Sequence, residues 1–191
     1  MKLAHDSLEF ERCPFTRLLT VTAGFLRNDN LGKMASKKLS FGEFTKTVEQ
    51  ILEDLKSHGI RQLSTEQSEA LFWFVSGEDT FAVLPTGHGK SLIYQMSVLY
   101  AKTVCTSPVV IVISPLNALI SDQIRECERL SLKAIKLEAS NVEALRKECE
   151  YDVVFSSAEV LESFPAKTFL QTLGSRIVGI VVDESHCVVK W

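Results

Sequence analysis

Residues 80–91 read TFAVLPTGHGKS, and this stretch decides the fold class. TFAVL is a strand-like apolar run, and the helix-compatible text KSLIYQMSVLYA begins at Lys90. A glycine-rich turn between a strand and a helix is the context in which G-x-x-x-x-G-K-[ST] binds phosphate. Gly87 and Gly89 let the backbone curl so that successive N–H groups converge, and the helix N-terminus adds a potential favourable to anions. Lys90 is placed to reach the β- and γ-phosphates, and the Ser91 hydroxyl to ligate Mg²⁺. Leu84 stands where the pattern has its first glycine; at the end of a strand it can belong to the core. The alternative is a strand–helix turn with an incidental Gly-Lys-Ser. His88 receives no proton-transfer role.

Outward from the loop, the text alternates. Two helices precede it, one opening on the capping box Ser40–Glu43 and ending at Gly59, the other running from Thr65 towards Gly77. After it come PVVIVIS, the amphipathic LNALISDQIRECERL, KAIKLE, NVEALRKECE, DVVFS, the helical AEVLESF and AKTFLQTLG, and finally RIVGIVVDE. Near-continuous Val/Ile strands separated by helices predict an α/β fold with a parallel sheet covered on both faces. Residues 1–39 show no sustained periodicity and read as a poorly ordered extension; residues 40–191 read as the domain. Met34 has the look of an alternative start.

Composition narrows the rest. The chain has 191 residues, 46% of them hydrophobic and 24% charged, in the range of an ordinary globular domain. Its five cysteines are scattered without a C-x-x-C pair, against both a disulfide framework and a zinc site. No apolar run approaches membrane-span length, and the acidic N-terminus does not suit a signal or transit peptide, so the expected location is cytosol or nucleus. Residues 1–40 carry 7 Lys/Arg and 4 Asp/Glu, leaving 21 − 7 = 14 against 24 − 4 = 20 in residues 41–191, a net of −6. Any nucleic acid is therefore met through a local patch and not through bulk charge.

A second motif lies about 90 residues downstream: VVDESHC, residues 181–187. Its apolar strand ends in Asp183 and Glu184. A carboxylate there suits a magnesium shell, and its neighbour suits positioning of an attacking water. The plain alternative is an Asp-Glu helix start.

Together LPTGHGKS and DESHCVVKW resemble the RecQ-type DNA helicases of superfamily 2, whose motifs run close to x-P-T-G-x-G-K-S and D-E-x-H-C-x-x-x-W. VISPLNALISDQ (112–123) is similar to the family's S-P-L-x-x-L-x-x-D-Q, and VVFSSAE (153–159) is a weaker match to its T-P-E segment. The resemblance covers roughly residues 60–191. It implies a RecA-like P-loop NTPase domain, C-terminally incomplete, and the ATP-binding part of a 3'–5' DNA helicase that couples ATP hydrolysis to strand separation in repair and recombination. By the same resemblance Thr86, Gly87, His88, Gly89 and Lys90 cradle the phosphates of ATP, while Ser91 and Asp183 hold Mg²⁺. Glu184 activates water, and His186 couples the nucleotide site to DNA. Ser114, Pro115, Asn117 and Ser157 lie near the backbone of single-stranded or 3'-overhang DNA. Trp191 opens a DNA-sensing aromatic loop, although the residue by itself reads equally as core.

The adenine-reading motif departs from the family pattern: LSTEQ (63–67) keeps Gln67 but has Ser64 and Thr65 for arginine and proline. Gln67 therefore reads either as an adenine ligand or as the third helical residue of a capping box on Ser64.

The resemblance also implies a second RecA-like domain with an arginine finger, worth ~10³–10⁵ in rate, so this chain alone is not expected to unwind DNA. It implies a further strand between the phosphate-loop strand and the Asp183 strand, without which sheet edges stay unpaired or close abnormally. The chain is expected to be a fragment of a helicase. The competing reading is a truncated module that holds nucleotide or a protein partner without hydrolysis. If eukaryotic, the protein is expected in the nucleus; otherwise in the cytoplasm.

Overall fold

The computed structural model describes residues 18–22, 39–85, 87–115, 117–148 and 150–183. Six strands form one sheet in the order β2-β1-β6-β3-β5-β4: β1 Leu18–Thr22, β2 Thr80–Val83, β3 Val109–Ile113, β4 Ala134–Lys136, β5 Val153–Ser156 and β6 Ile177–Asp183. β4, β5, β3 and β6 run parallel, as the Val/Ile runs predict. The helices are α1 Phe41–Leu55, α2 Thr65–Val75, α3 Lys90–Lys102, α4 Asn117–Arg129, α5 Val142–Glu148, α6 Ala158–Glu162 and α7 Phe164–Leu173.

Strand alternation sorts the core into two layers. Val110 and Val112 of β3 face Phe44, Leu71, Ile93 and Ile120 of α1–α4. Val109 and Ile111 face Leu145 of α5 and Phe169 of α7. All four β3 residues are buried, because helices cover both faces and neither side of the strand can be polar.

Local chemistry fixes the helix ends. The Ser40 hydroxyl accepts from the Glu43 N–H at 3.2 Å while the Glu43 carboxylate accepts from the Ser40 N–H, so the predicted capping box caps α1. That helix buries Phe44, Val48, Ile51 and Leu55 and stops at Gly59, whose φ of 82° favours glycine.

One element departs from expectation. Leu18–Thr22, within the stretch read as an extension, is a strand, and it lies antiparallel between β2 and β6. It stands where the family resemblance implies a strand from elsewhere. Its five residues, LLTVT, carry no turn or periodic signal to mark them out.

Candidate functional site

Sheet register gathers the candidate residues along one edge. β1 runs against both neighbours, so β2 and β6 run parallel and end on the same side. Leu18 pairs with Val83 at the end of β2, and Leu19 pairs with Asp183 at the end of β6. With about 4.7–4.9 Å between adjacent strands, the phosphate-loop strand and the Asp183 strand end roughly 9–10 Å apart. β3 and β5 finish on this edge too, because Ile113 pairs with both Val182 and Ser156. Ser114, Pro115, the start of α4 at Asn117 and Ser157 follow directly. The carboxyl edge of an open parallel sheet is where such folds bind ligands.

The loop is built as its sequence suggests. Leu84 is buried in the core. The His88 N–H donates to the Pro85 carbonyl at 3.2 Å, and Gly87 and Gly89 take φ values of 82° and 64°. Gly89 is the N-cap of α3 and supplies no side-chain cap to the first helical N–H groups. Lys90 and Ser91 open that helix, where its dipole is positive. Thr86 lies outside the described residues.

Gln67 occupies both of its readings' territory but adopts one geometry. Its Oε1 accepts from the Ser64 N–H at 2.8 Å and its own N–H donates to the Ser64 hydroxyl at 3.2 Å, completing a capping box on α2. Its Nε2 then donates to the carbonyls of His88 and Gly89 at 3.0 and 3.1 Å. Two facing carbonyls require the amide nitrogen on that side. Gln67 thus clamps the phosphate loop to the start of α2. A Cβ on Gly89 would meet the Gln67 Nε2 at 2.6 Å, a second reason for glycine there.

Asp183 is buried, and its Oδ2 accepts from the Gln123 Nε2 at 2.9 Å. Gln123 sits on α4, within the SPLNALISDQ segment, but sequence reasoning gave it no role. The contact spans 60 positions, and no local spacing signals it. Beneath the site, one turn after Ser91, lies Tyr94. Burial pushes its hydroxyl well above the ordinary tyrosine range; the Cys127 thiol, the Asp183 carboxylate and Glu126 add to the shift, while Ser91 opposes it. Tyr94 is therefore a neutral floor to the site.

The Ser114 hydroxyl is fully buried and, among the described residues, has no hydrogen-bond partner, while its N–H donates to the Ser156 carbonyl at 2.9 Å. The Ser157 hydroxyl accepts from the Val160 N–H at 3.4 Å and caps α6. Asn117 begins α4. Glu184, His186 and Trp191 lie outside the described residues, so the water-activating, coupling and stacking roles rest on sequence.

The DEAD/DEAH box helicase family model matches residues 64–191, a span that holds the glycine-rich loop, Lys90 and the strand-end Asp183. The chain belongs to this family. Among RecQ helicases, this DEAD/DEAH box chain is 32% identical over 132 residues to the ATP-dependent DNA helicase RecQ of Synechocystis sp., covering 65% of this chain and 27% of that protein. It is 34% identical over 149 residues to the RecQ-like DNA helicase BLM of Xenopus laevis, covering 71% of this chain and 10% of that one. To the ATP-dependent DNA helicase Q5 of Mus musculus it is 36% identical over 137 residues, 65% of this chain and 13% of the mouse protein. The chain thus spans about a quarter or less of these relatives and corresponds to the N-terminal part of a helicase domain. Among the described residues no helix is long and apolar enough to cross a membrane.

Proposed function

We propose that this chain is the ATP-binding part of a RecQ-like 3'–5' DNA helicase, in which hydrolysis at the phosphate loop drives strand separation. The observation that carries the reading is the register across β1, which sets the Gly87–Ser91 loop and Asp183 at the ends of parallel strands one strand apart. The DNA helicase activity is proposed from the RecQ relatives, which are DNA helicases.

The site fits a magnesium–nucleotide group. The Ser91 hydroxyl and the Asp183 carboxylate are hard oxygen donors of the kind Mg²⁺ selects. Mg²⁺ neutralises charge on the phosphates when bound. Gln123 holds one Asp183 oxygen and so fixes the carboxylate's orientation. The turn from Gly87 to Gly89 and the Lys90 ammonium bind and orient the phosphates, with Thr86 and His88 contributing to the same cradle. Glu184 positions the attacking water, and His186 links the site to DNA.

Single-stranded or 3'-overhang DNA is assigned to the edge formed by Ser114, Pro115, Asn117 and Ser157, with Trp191 as an aromatic platform. Ser114 and Pro115 support this by standing on the same sheet edge as the loop. The second RecA-like domain would add an arginine finger, worth ~10³–10⁵ in rate, or about 4–7 kcal/mol of barrier. Nuclear work in repair and recombination, if the source is eukaryotic, follows from the RecQ likeness.

The test is ATP hydrolysis with and without single-stranded DNA in the wild type, Lys90→Ala and Glu184→Gln. DNA-stimulated turnover lost in both variants supports the enzyme. Nucleotide binding with no turnover under any condition supports the non-hydrolysing module instead.

A further inference from the structure

Two buried polar atoms near Asp183 have no hydrogen-bond partner among the described residues: the Tyr94 hydroxyl and the Gln123 Oε1. A buried polar atom gives up its hydrogen bond to bulk water, and native structures supply a replacement almost everywhere. The Gln123 amide cannot turn over to satisfy its own oxygen. Its Nε2 donates to the Asp183 Oδ2 at 2.9 Å, and an ionised carboxylate only accepts, so the amide nitrogen belongs on that side and the Oε1 on the other. That oxygen needs a donor from another element.

Tyr94 is the donor at hand. It stands on α3 one turn after Ser91, and its side chain is 1% exposed. Its ring meets the Phe155 ring of β5 edge-on, with centroids 6.1 Å apart and planes at 79°, so packing fixes its place between sheet and helices. The next residue, Gln95, donates from Nε2 to the Cys127 Sγ at 3.7 Å and ties α3 to α4. Cys127 lies four positions after Gln123, on the same face of α4. Burial first, then the nearby Cys127 and Asp183, keep the proton on the Tyr94 hydroxyl. A lone donor on α3 and a lone acceptor on α4 thus stand beside one carboxylate. One ordered water satisfies both: it accepts from Tyr94, donates one hydrogen to the Gln123 Oε1 and keeps a second for a neighbouring acceptor.

We propose that Tyr94 is a positioning residue for the magnesium side of the site: through one ordered water its hydroxyl holds the Gln123 amide, and that amide holds the Asp183 carboxylate. This rests on the magnesium–nucleotide reading above. Tyr94 itself touches neither phosphate nor metal in this arrangement. Its hydroxyl acts on Mg²⁺ binding by limiting how far the carboxylate can rotate.

Tyr94→Phe removes the hydroxyl and keeps the ring on Phe155. Binding of a fluorescent ATP analogue is measured against Mg²⁺ concentration in the full 191-residue chain. In Tyr94→Phe the Mg²⁺ concentration for half-maximal binding should rise about threefold or more, with metal-free binding as in the wild type. In a chain that already carries Gln123→Leu, adding Tyr94→Phe should raise it no further, because both residues act through one network. Urea midpoints without nucleotide give a second cycle. Tyr94→Phe should lower the midpoint of the wild type and should not lower that of Gln123→Leu. An unchanged Mg²⁺ requirement in Tyr94→Phe overturns the inference, as do additive effects of the two substitutions in either cycle. A urea midpoint above the wild type in Tyr94→Phe would show a hydroxyl that nothing satisfies, and would overturn it too. A wild-type chain that binds no nucleotide overturns the magnesium–nucleotide reading instead. Non-additive urea midpoints in that case keep the Tyr94–Gln123 pairing and strike only its link to magnesium.

Discussion

The two hydrogen bonds from Gln67 to the phosphate loop allow its role to be separated from that of a base-reading residue. Gln67→Ala removes donors lying 3.0 and 3.1 Å from the His88 and Gly89 carbonyls. At about 0.5–1.5 kcal/mol for each neutral bond, the loop loses roughly 1–3 kcal/mol of order. Binding must then supply that order, which corresponds to roughly 5- to 150-fold weaker nucleotide affinity. The alanine also removes the Oε1 that accepts from Ser64, so part of the loss will appear as helix-cap stability. Gln67→Glu separates the two effects. Glutamate serves the same capping-box position, yet it turns an anionic oxygen towards two carbonyl oxygens. Affinity should therefore fall in the order wild type, alanine, glutamate, even though glutamate is the closer isostere. The assay is equilibrium competition against a fluorescent nucleotide by ATP, GTP and inorganic tripolyphosphate. A loop clamp predicts that all three weaken by a common factor. Weakening confined to ATP, with GTP and tripolyphosphate unchanged, would refute the clamp and restore Gln67 as an adenine ligand.

Three further perturbations follow from the packing. Gln123→Leu removes the donor at 2.9 Å from the Asp183 Oδ2, and the Mg²⁺ concentration needed for half-maximal ATP binding should rise about tenfold or more, while metal-free binding stays as in the wild type. Gly179→Ala would drive a Cβ into the Phe74 ring, and a loss of about 1–3 kcal/mol should appear as a lower urea midpoint. Burial, only partly offset by the Gln95 amide, pushes the Cys127 thiol from 9.0 up to about 12. The unfolded chain gives up that proton first, so the contribution is intact below about pH 9 and is lost as pH rises towards 12. The slope approaches ~1.4 kcal/mol per pH unit. Urea midpoints at pH 8 and 10 should diverge less in Cys127→Ala than in the wild type.

What the sequence made legible is what short-range chemistry controls. The capping boxes on Ser40 and Ser64, the strand–loop–helix at 80–102 and the parallel Val/Ile strands each depend on neighbours a few positions apart. The candidate site was legible where it coincides with such units: the loop glycines and the strand-end Asp183. Three features were not. The Gln67 contacts with the loop span 21 and 22 positions, and the Gln123 contact with Asp183 spans 60. Both glutamines fall within motifs the sequence displays, but no local pattern names the partners they reach across the fold. β1 was unreadable for a stronger reason: a five-residue strand between two others is specified by the slot that receives it. Leu19 meets Asp183 across most of the chain, a pairing that no local pattern announces.

The central claim is that the Gly87–Ser91 loop and Asp183 form one magnesium–nucleotide site. Its most direct test is titration of the full chain with ATP, with and without Mg²⁺, beside Lys90→Ala and Asp183→Asn. The account predicts saturable binding that Mg²⁺ strengthens, lost in Lys90→Ala and made insensitive to Mg²⁺ in Asp183→Asn. Binding that both variants retain, with the same response to Mg²⁺, would contradict it.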